Sequence, residues 1–361
     1  MLTAVIFLVV ISVLVFVHEV GHFVAAKRAG MRVQEFGFGF PPRLWGVRRG
    51  ETVYSLNWIP FGGFVKIHGE DGQDRSSPFS FAAASFGRKV GVVVAGVVMN
   101  FLFAAALLVL GNFLGLRVGL FEPALINLAT DKQVQIISVS PDSPAAAAGL
   151  MPLDAITGFR LSDGSLLRVT GPEQVQEFSL ANAGREVTII LSRGGEELAL
   201  PLALREPVGP TEGPIGISLV MTGVVSYPWY QALWRGVADA GMMFISIVVG
   251  YAGIIGSLFT DGRLAGEVAG PVGIATLTGQ AARIGFNYLV QFVAVISMNL
   301  AVLNILPFPA LDGGRLAILI GEKVRGRPLR QHTERLINGL GFLFLLGLMV
   351  AVTIKDIGKL F

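Results

Sequence analysis

The stretch Leu2-Thr-Ala-Val-Ile-Phe-Leu-Val-Val-Ile-Ser-Val-Leu-Val-Phe-Val17, running straight into His18-Glu19-Val20-Gly21-His22, decides the fold. The apolar run Leu2–Ala26 stops at the basic pair Lys27-Arg28. Its length is that of a bilayer-spanning helix rather than of a signal-peptide core. No basic segment precedes it, as a cleaved leader requires, and cleavage would discard the histidines. Ionisable residues at membrane depth cost several kcal/mol unless paired or bound, so three together mark a function. Residues four apart share one helix face, so His18 and His22 can present both imidazoles to one metal ion. Glu19 flanks that face, where it can take a proton from water. Only four histidines occur in the chain, and two are here.

The composition agrees with a membrane setting. Of 361 residues, 53% are hydrophobic and 15% charged, against about 25% charged in soluble domains. The absence of cysteine removes thiolate ligands, leaving His, Asp, Glu and carbonyl groups for any metal. The net charge of +3 does not indicate nucleic acid. Lys27, Arg28, Arg88, Lys89, Lys323 and Arg325 lie beside apolar runs, which is the pattern of cytoplasmic flanks.

Apolar runs long enough to span are Leu2–Ala26, Val90–Leu116, Ala240–Leu258, Phe286–Leu306 and Leu336–Ile354. Strands are expected at Thr52–Leu56 and Phe64–Ile67, separated by Pro60-Phe-Gly-Gly63. A polar block, Asp131–Glu206, alternates strand-like runs (Val134–Val139, Val187–Leu191, Leu198–Leu202) with a helix at Pro172–Leu180, and Pro207–Gly216 reads as a linker. The charge rule places Lys27 inside and the polar block outside. It also places Lys323–Arg335 inside, so Ala240–Leu258 is expected to lie at the interface or re-enter, giving about four true spans.

A catalytic zinc usually takes three protein ligands. Within the apolar stretch Phe286–Gly321 the acidic residue is Asp312, in Asn304-Ile-Leu-Pro307-Phe-Pro309-Ala-Leu-Asp312-Gly-Gly314. Two prolines break the helix there, and two glycines allow close backbone approach. Asp312 falls at the cytoplasmic end of its span. His22 precedes Lys27 by five residues, about 7.5 Å along a helix axis, so the depths agree. Asp-Gly is also a common helix start, and in isolation the motif supports either reading.

Together, the HEVGH span and the later N-x-x-P-x-P-x-L-D-G-G element resemble the site-2 protease family of intramembrane zinc metalloproteases. The nearest branch is the bacterial regulator-of-sigma-E proteases, here with a single PDZ module. The resemblance covers essentially the whole chain. It implies Zn²⁺ held by His18, His22 and Asp312, Glu19 as catalytic base, and Asn304 with Pro307 and Pro309 near bound substrate. Gly96-Val-Val-Met-Asn100 matches a family Gly-x-x-x-Asn element, although Val97 stands where a proline often follows the glycine. The block Gln133–Leu150, with Ser143-Pro-Ala-Ala-Ala-Ala-Gly-Leu150, resembles a PDZ opening, with Leu153-Asp154 replacing the usual Gly-Asp.

The expected architecture is a mostly α-helical polytopic membrane protein with a membrane-associated β-hairpin and one extracytoplasmic α+β PDZ domain. Residues 1–120 form the N-terminal membrane core, 121–210 the PDZ domain and 211–361 the C-terminal membrane core. The resemblance implies a bacterial inner-membrane protease of single-span proteins, with an anti-sigma factor as substrate, the zinc site near the cytoplasmic side and a PDZ peptide ligand. A catalytically silent PDZ-bearing adaptor is the alternative, but it would not retain all three ligands and Glu19. A hydrolase of a lipid-soluble small molecule would not need the outer module.

Overall fold

An apolar chain in lipid must satisfy its backbone internally, and a helix does so within one segment. The computed structural model describes residues 2–72, 74–160, 164–206, 213–260 and 270–358. Their helices are α1 (Leu2–Arg28), α2 (Phe86–Leu114), α3 (Pro123–Leu128), α4 (Pro144–Ala147), α5 (Pro172–Ala181), α6 (Trp229–Thr260), α7 (Pro271–Ile284), α8 (Phe286–Ile305), α9 (Asp312–Arg325) and α10 (Gln331–Gly358). The strands are β1 (Val33–Arg49), β2 (Thr52–Ile67), β3 (Leu116–Gly119), β4 (Thr130–Val139), β5 (Ala155–Arg160), β6 (Leu166–Arg168), β7 (Glu186–Arg193), β8 (Glu196–Ala203) and β9 (Ile217–Val225).

Among the described residues, five helices are long and apolar enough to cross a membrane: α1, α2, α6, α8 and α10. These are the five apolar runs of the sequence, and their length and composition leave the expected four crossings as they stood. The segment read as interfacial or re-entrant, Ala240–Leu258, belongs to one unbroken helix of 32 residues; a re-entrant segment would need a break, and the interfacial reading does not. Arg235 and Asp239 shorten the apolar run in the sequence and hide the first three turns. The expected linker Pro207–Gly216 lies in its first six positions outside the described residues.

The chain divides into two compact units. One comprises Met1–Val109, Trp234–Gly279 and Val290–Phe361. In it α1 and α2 run antiparallel, since His22 meets Val92 while His18 meets Asn100. Lys27-Arg28 and Arg88-Lys89 therefore fall at the same end. The basic end of α9 joins them, with Lys323 Nζ 4.1 Å from the Phe86 ring centroid. Helix α6 packs along α2 in the opposite direction, with Phe244 against Phe101. At Gly236 an added Cβ would stand 2.5 Å from the Val109 nitrogen.

In the same unit β1 and β2 form a sheet folded on itself. Glu35–Phe38 is flanked by Val53–Leu56 on one side and by Gly63–Lys66 on the other, while Arg43–Arg49 pairs with Thr52–Asn57. The two strands expected on either side of Pro60–Gly63 are thus one bent element. Gly62 makes the bend at φ +77°, where a side chain would also strike Val15 of α1. The Ser12 hydroxyl donates to the Pro60 carbonyl, pinning the bend to α1. The tip exposes Phe40, Leu44, Trp45, Trp58 and Phe61.

The other unit comprises Leu110–Leu233 and Gln280–Leu289. Its seven-stranded sheet has the order β3-β9-β4-β5-β7-β8, with β6 on β5. Val134, Ile136, Phe159, Ile189, Leu191 and Leu202 fill its core, and Phe159 stacks on Phe178 of α5 at 4.2 Å. Asp154, buried, accepts from the Met151 N–H at 2.9 Å and from Arg193 at 2.7 and 2.6 Å. That ion pair holds the Arg193 guanidinium pKa above its ordinary value. Leu153 sits at φ +73°, the backbone state for which glycine is the usual residue.

Candidate metal centre

His18 and His22 sit one turn apart on α1, and Asp312 is the first residue of α9. The chain turns sharply between α8 and α9 through Pro307 and Pro309, and Ala310 takes φ +72°. Leu311, rather than Asp312, is the N-cap, so the Asp312 carboxylate is not used in capping its own helix. At Gly313 and Gly314 any side chain would collide with the Ile305, Leu306 and Phe308 carbonyls. This close approach delivers Asp312 to α1. Its Oδ2 lies 3.0 Å from His18 Nε2 and 3.3 Å from His22 Nε2, and the two Nε2 atoms are 3.1 Å apart.

These spacings suit one small cation. Ligand atoms around a tetrahedral ion with bonds of 2.0–2.1 Å lie about 3.3 Å apart. Two neutral imidazole nitrogens facing each other gain no hydrogen bond unless one carries a proton, whereas a shared cation satisfies both. Asp312 Oδ2 is buried with no hydrogen-bond donor. Among the described residues this is the one His/Asp/Glu grouping able to hold an ion. The donor set of two imidazoles and one carboxylate is one that Zn²⁺ accepts in catalytic sites.

Helix α2 orients the ligands along one face, at Val92, Gly96 and Asn100. His22 Nδ1–H donates to the Val92 carbonyl at 2.8 Å, which leaves Nε2 with its lone pair toward the site. The Asn100 amide lies 3.3 Å from His18 Nδ1, and Asn100 Oδ1 is a buried atom without a donor. Turning that amide places Oδ1 on the Nδ1 proton, which satisfies both groups and frees His18 Nε2. Asn100 is itself held, its carbonyl accepting from Ser297 of α8 at 2.8 Å. Between them Gly96 admits the rings: a Cβ there would stand 2.5 Å from His22 Nε2 and 2.7 Å from His18 Nε2. The Val92 carbonyl was invisible in the sequence, because every residue carries one.

Glu19 lines the same cavity, of about 350 Å³, together with Phe64, Val65, Asn304 and Arg315. The Val65 N–H donates to Glu19 Oε2 at 3.1 Å. Asn304 thus borders the cavity, while Pro307 and Pro309 shape the turn behind it and Pro309 packs against Gly341 of α10. A larger polar cavity, about 860 Å³, adjoins and shares Ile67, Glu70, Leu311, Asp312 and Arg315 with the first. His68 lines it and pairs with Asp74 at 2.8 Å. Ser76 and His68 together hold the Asp74 carboxyl below its usual range.

Comparison with known proteins gives the family. A model described as peptidase family M50 matches residues 6–348. The chain belongs to peptidase family M50. Curated M50-like relatives match end to end. A putative zinc metalloprotease of Clostridium perfringens is 34% identical, covering 97% of each chain. A putative zinc metalloprotease of Nostoc is 33% identical, covering 97% of this chain and 94% of its own. The zinc metalloprotease RasP of Geobacillus kaustophilus is 30% identical, covering 98% and 97%. This M50 member is therefore a multi-pass membrane metalloendopeptidase.

Proposed function

We propose that this peptidase is a zinc-dependent intramembrane protease that cuts transmembrane segments of single-span proteins, an anti-sigma factor being the expected substrate. The observation that carries the reading is the convergence of Asp312, at the start of α9, with His18 and His22 beside Glu19 on a helix long enough to span a membrane. When bound, Zn²⁺ supplies Lewis acidity at the scissile carbonyl and acidifies water. Glu19 takes the proton of the attacking water and returns it to the leaving amine. His22 and His18 stay oriented by Val92 and Asn100. Asn304, on the cavity wall, is placed to hold a substrate backbone group.

A transmembrane helix must unwind before attack, and its freed N–H and C=O groups then need partners. The segment Gly63–Val65 supports that role. It pairs with β1 on one side, and its other edge runs past Glu19. An extended substrate adds there as a further strand. The exposed aromatic tip of the hairpin sits in lipid and steadies this edge.

The basic clusters at one end of α1, α2 and α9 support a cytoplasmic location for that end, in a bacterial inner membrane, with the metal site nearer to it. The seven-stranded module then lies outside. Its Ser143–Leu150 turn and helix α4, with Ser143 Oγ accepting from the Ala146 N–H, support a single PDZ module that takes peptide ligands and holds back substrates with bulky outer domains. Reconstitution with candidate single-span proteins, with mass mapping of products for wild type and Glu19→Gln, tests the reading. A Glu19→Gln protein that still cuts would overturn it, and intact substrates throughout would favour an adaptor.

A further inference from the structure

The open edge beside Glu19 has a built-in stop. We infer that the Glu70–Arg315 pair fixes where a substrate strand added to Gly63–Ile67 must end, and so which peptide bond meets Glu19; the inference rests on the protease reading above. Alternate residues of a strand direct their N–H groups to the same edge. Here the Val65 N–H goes to Glu19 Oε2 at 3.1 Å and the Ile67 N–H to Glu70 Oε2 at 3.3 Å. Two carboxylates therefore stand along one edge, two residues apart. The first is the proposed base. The second is anchored: Glu70 Oε1 contacts Arg315 Nη1, and Arg315 Nη2 donates to the Glu70 carbonyl at 2.6 Å. The guanidinium also lies 4.5 Å from the Phe81 ring centroid.

Arg315 stands one turn after Asp312 on α9, so the pair ties the end of the strand to the helix that delivers Asp312. Both Glu70 and Arg315 line the catalytic cavity and the larger polar cavity beside it. An extended peptide passing from one to the other meets them. At Val65 the donor is held by the base itself, which turns to the attacking water; at Ile67 it is held by a carboxylate that Arg315 fixes in place, which repels the substrate carbonyl. Pairing ends upstream of Ile67, and the register of the added strand is set against Glu19.

A strand released from such a stop slips by two residues, because a one-residue slip would turn every side chain to the opposite face. The test uses the full-length zinc-loaded protein and one single-span substrate, with cleaved bonds mapped by mass spectrometry. Glu70→Ala and Arg315→Gln are each expected to yield a second product displaced by two residues, at abundance comparable with the first. The double variant is expected to match either single one. A second readout is amide exchange at Ile67, expected at least tenfold faster in Glu70→Ala. A pair that only stabilises the fold would change the rate and leave the bond unmoved. If both variants cut solely at the wild-type bond, the proposed stop is wrong. If the wild type makes no cut, the protease reading falls and the stop with it. Should Glu70→Ala not accumulate, the product pattern of Arg315→Gln decides alone.

Discussion

Glu19 and its histidine neighbours share one helix turn, yet the roles proposed for them are separable. Replacing Glu19 by Gln removes a proton carrier while keeping the shape, so turnover should fall roughly 10²–10⁴-fold with bound zinc unchanged by elemental analysis. Replacing His22 or Asp312 by Ala should instead empty the site, and chelation should silence the wild type reversibly, with zinc restoring it. Asn100→Ala removes the partner of His18 Nδ1, and such outer partners are worth about 10–100-fold in metal affinity. A competition titration against a zinc indicator checks this. The grouping of His18, His22 and Asp312 was legible because metal chemistry restricts residue type and spacing. Glu70 and Arg315 were not, since a lone Glu and a lone Arg in polar surroundings carry no pattern until the fold joins them.

Helix α2 shows how small residues are placed by contact rather than by propensity. An added methyl at Gly96 would strike both imidazoles, whereas at Gly91 nothing lies within 4 Å. Gly96→Ala should therefore cost about 1–3 kcal/mol through overpacking and lose metal. Gly91→Ala should keep both stability and metal, being an ordinary helix substitution; thermal unfolding with metal analysis separates the two. Helix positions were readable from apolar runs. Helix ends were not: α6 begins eleven residues before the expected Ala240, because one arginine and one aspartate interrupt a run that the helix itself ignores. The bent β2 was likewise read as two strands, since Pro60–Gly63 is turn chemistry and only the pairing with β1 shows that the ladder continues.

At the scale of the whole chain, two compact units can be probed separately. In the sheet-rich unit, Asp154 satisfies the Met151 N–H and Arg193 together. Asp154→Ala strands the Met151 N–H and leaves Arg193 the Gly149 carbonyl, and should cost about 1–3 kcal/mol. Hydrogen exchange should report it as faster exchange in Ile189–Leu191, with α1 and α2 unaffected. Deleting residues 131–206 tests the proposed filter, with uncut full-length substrates then becoming cleavable. The proposed metal centre joins distant parts of the chain: His22 comes near the beginning, and Asp312 follows 290 positions later. A ribosome thus inserts four of the five apolar helices before the last ligand emerges. A nascent or truncated chain holds His18, Glu19 and His22 without the Asp312 carboxylate, and so lacks one of the three proposed metal ligands. Synthesis of the turn between α8 and α9 is thus the step that completes the proposed site.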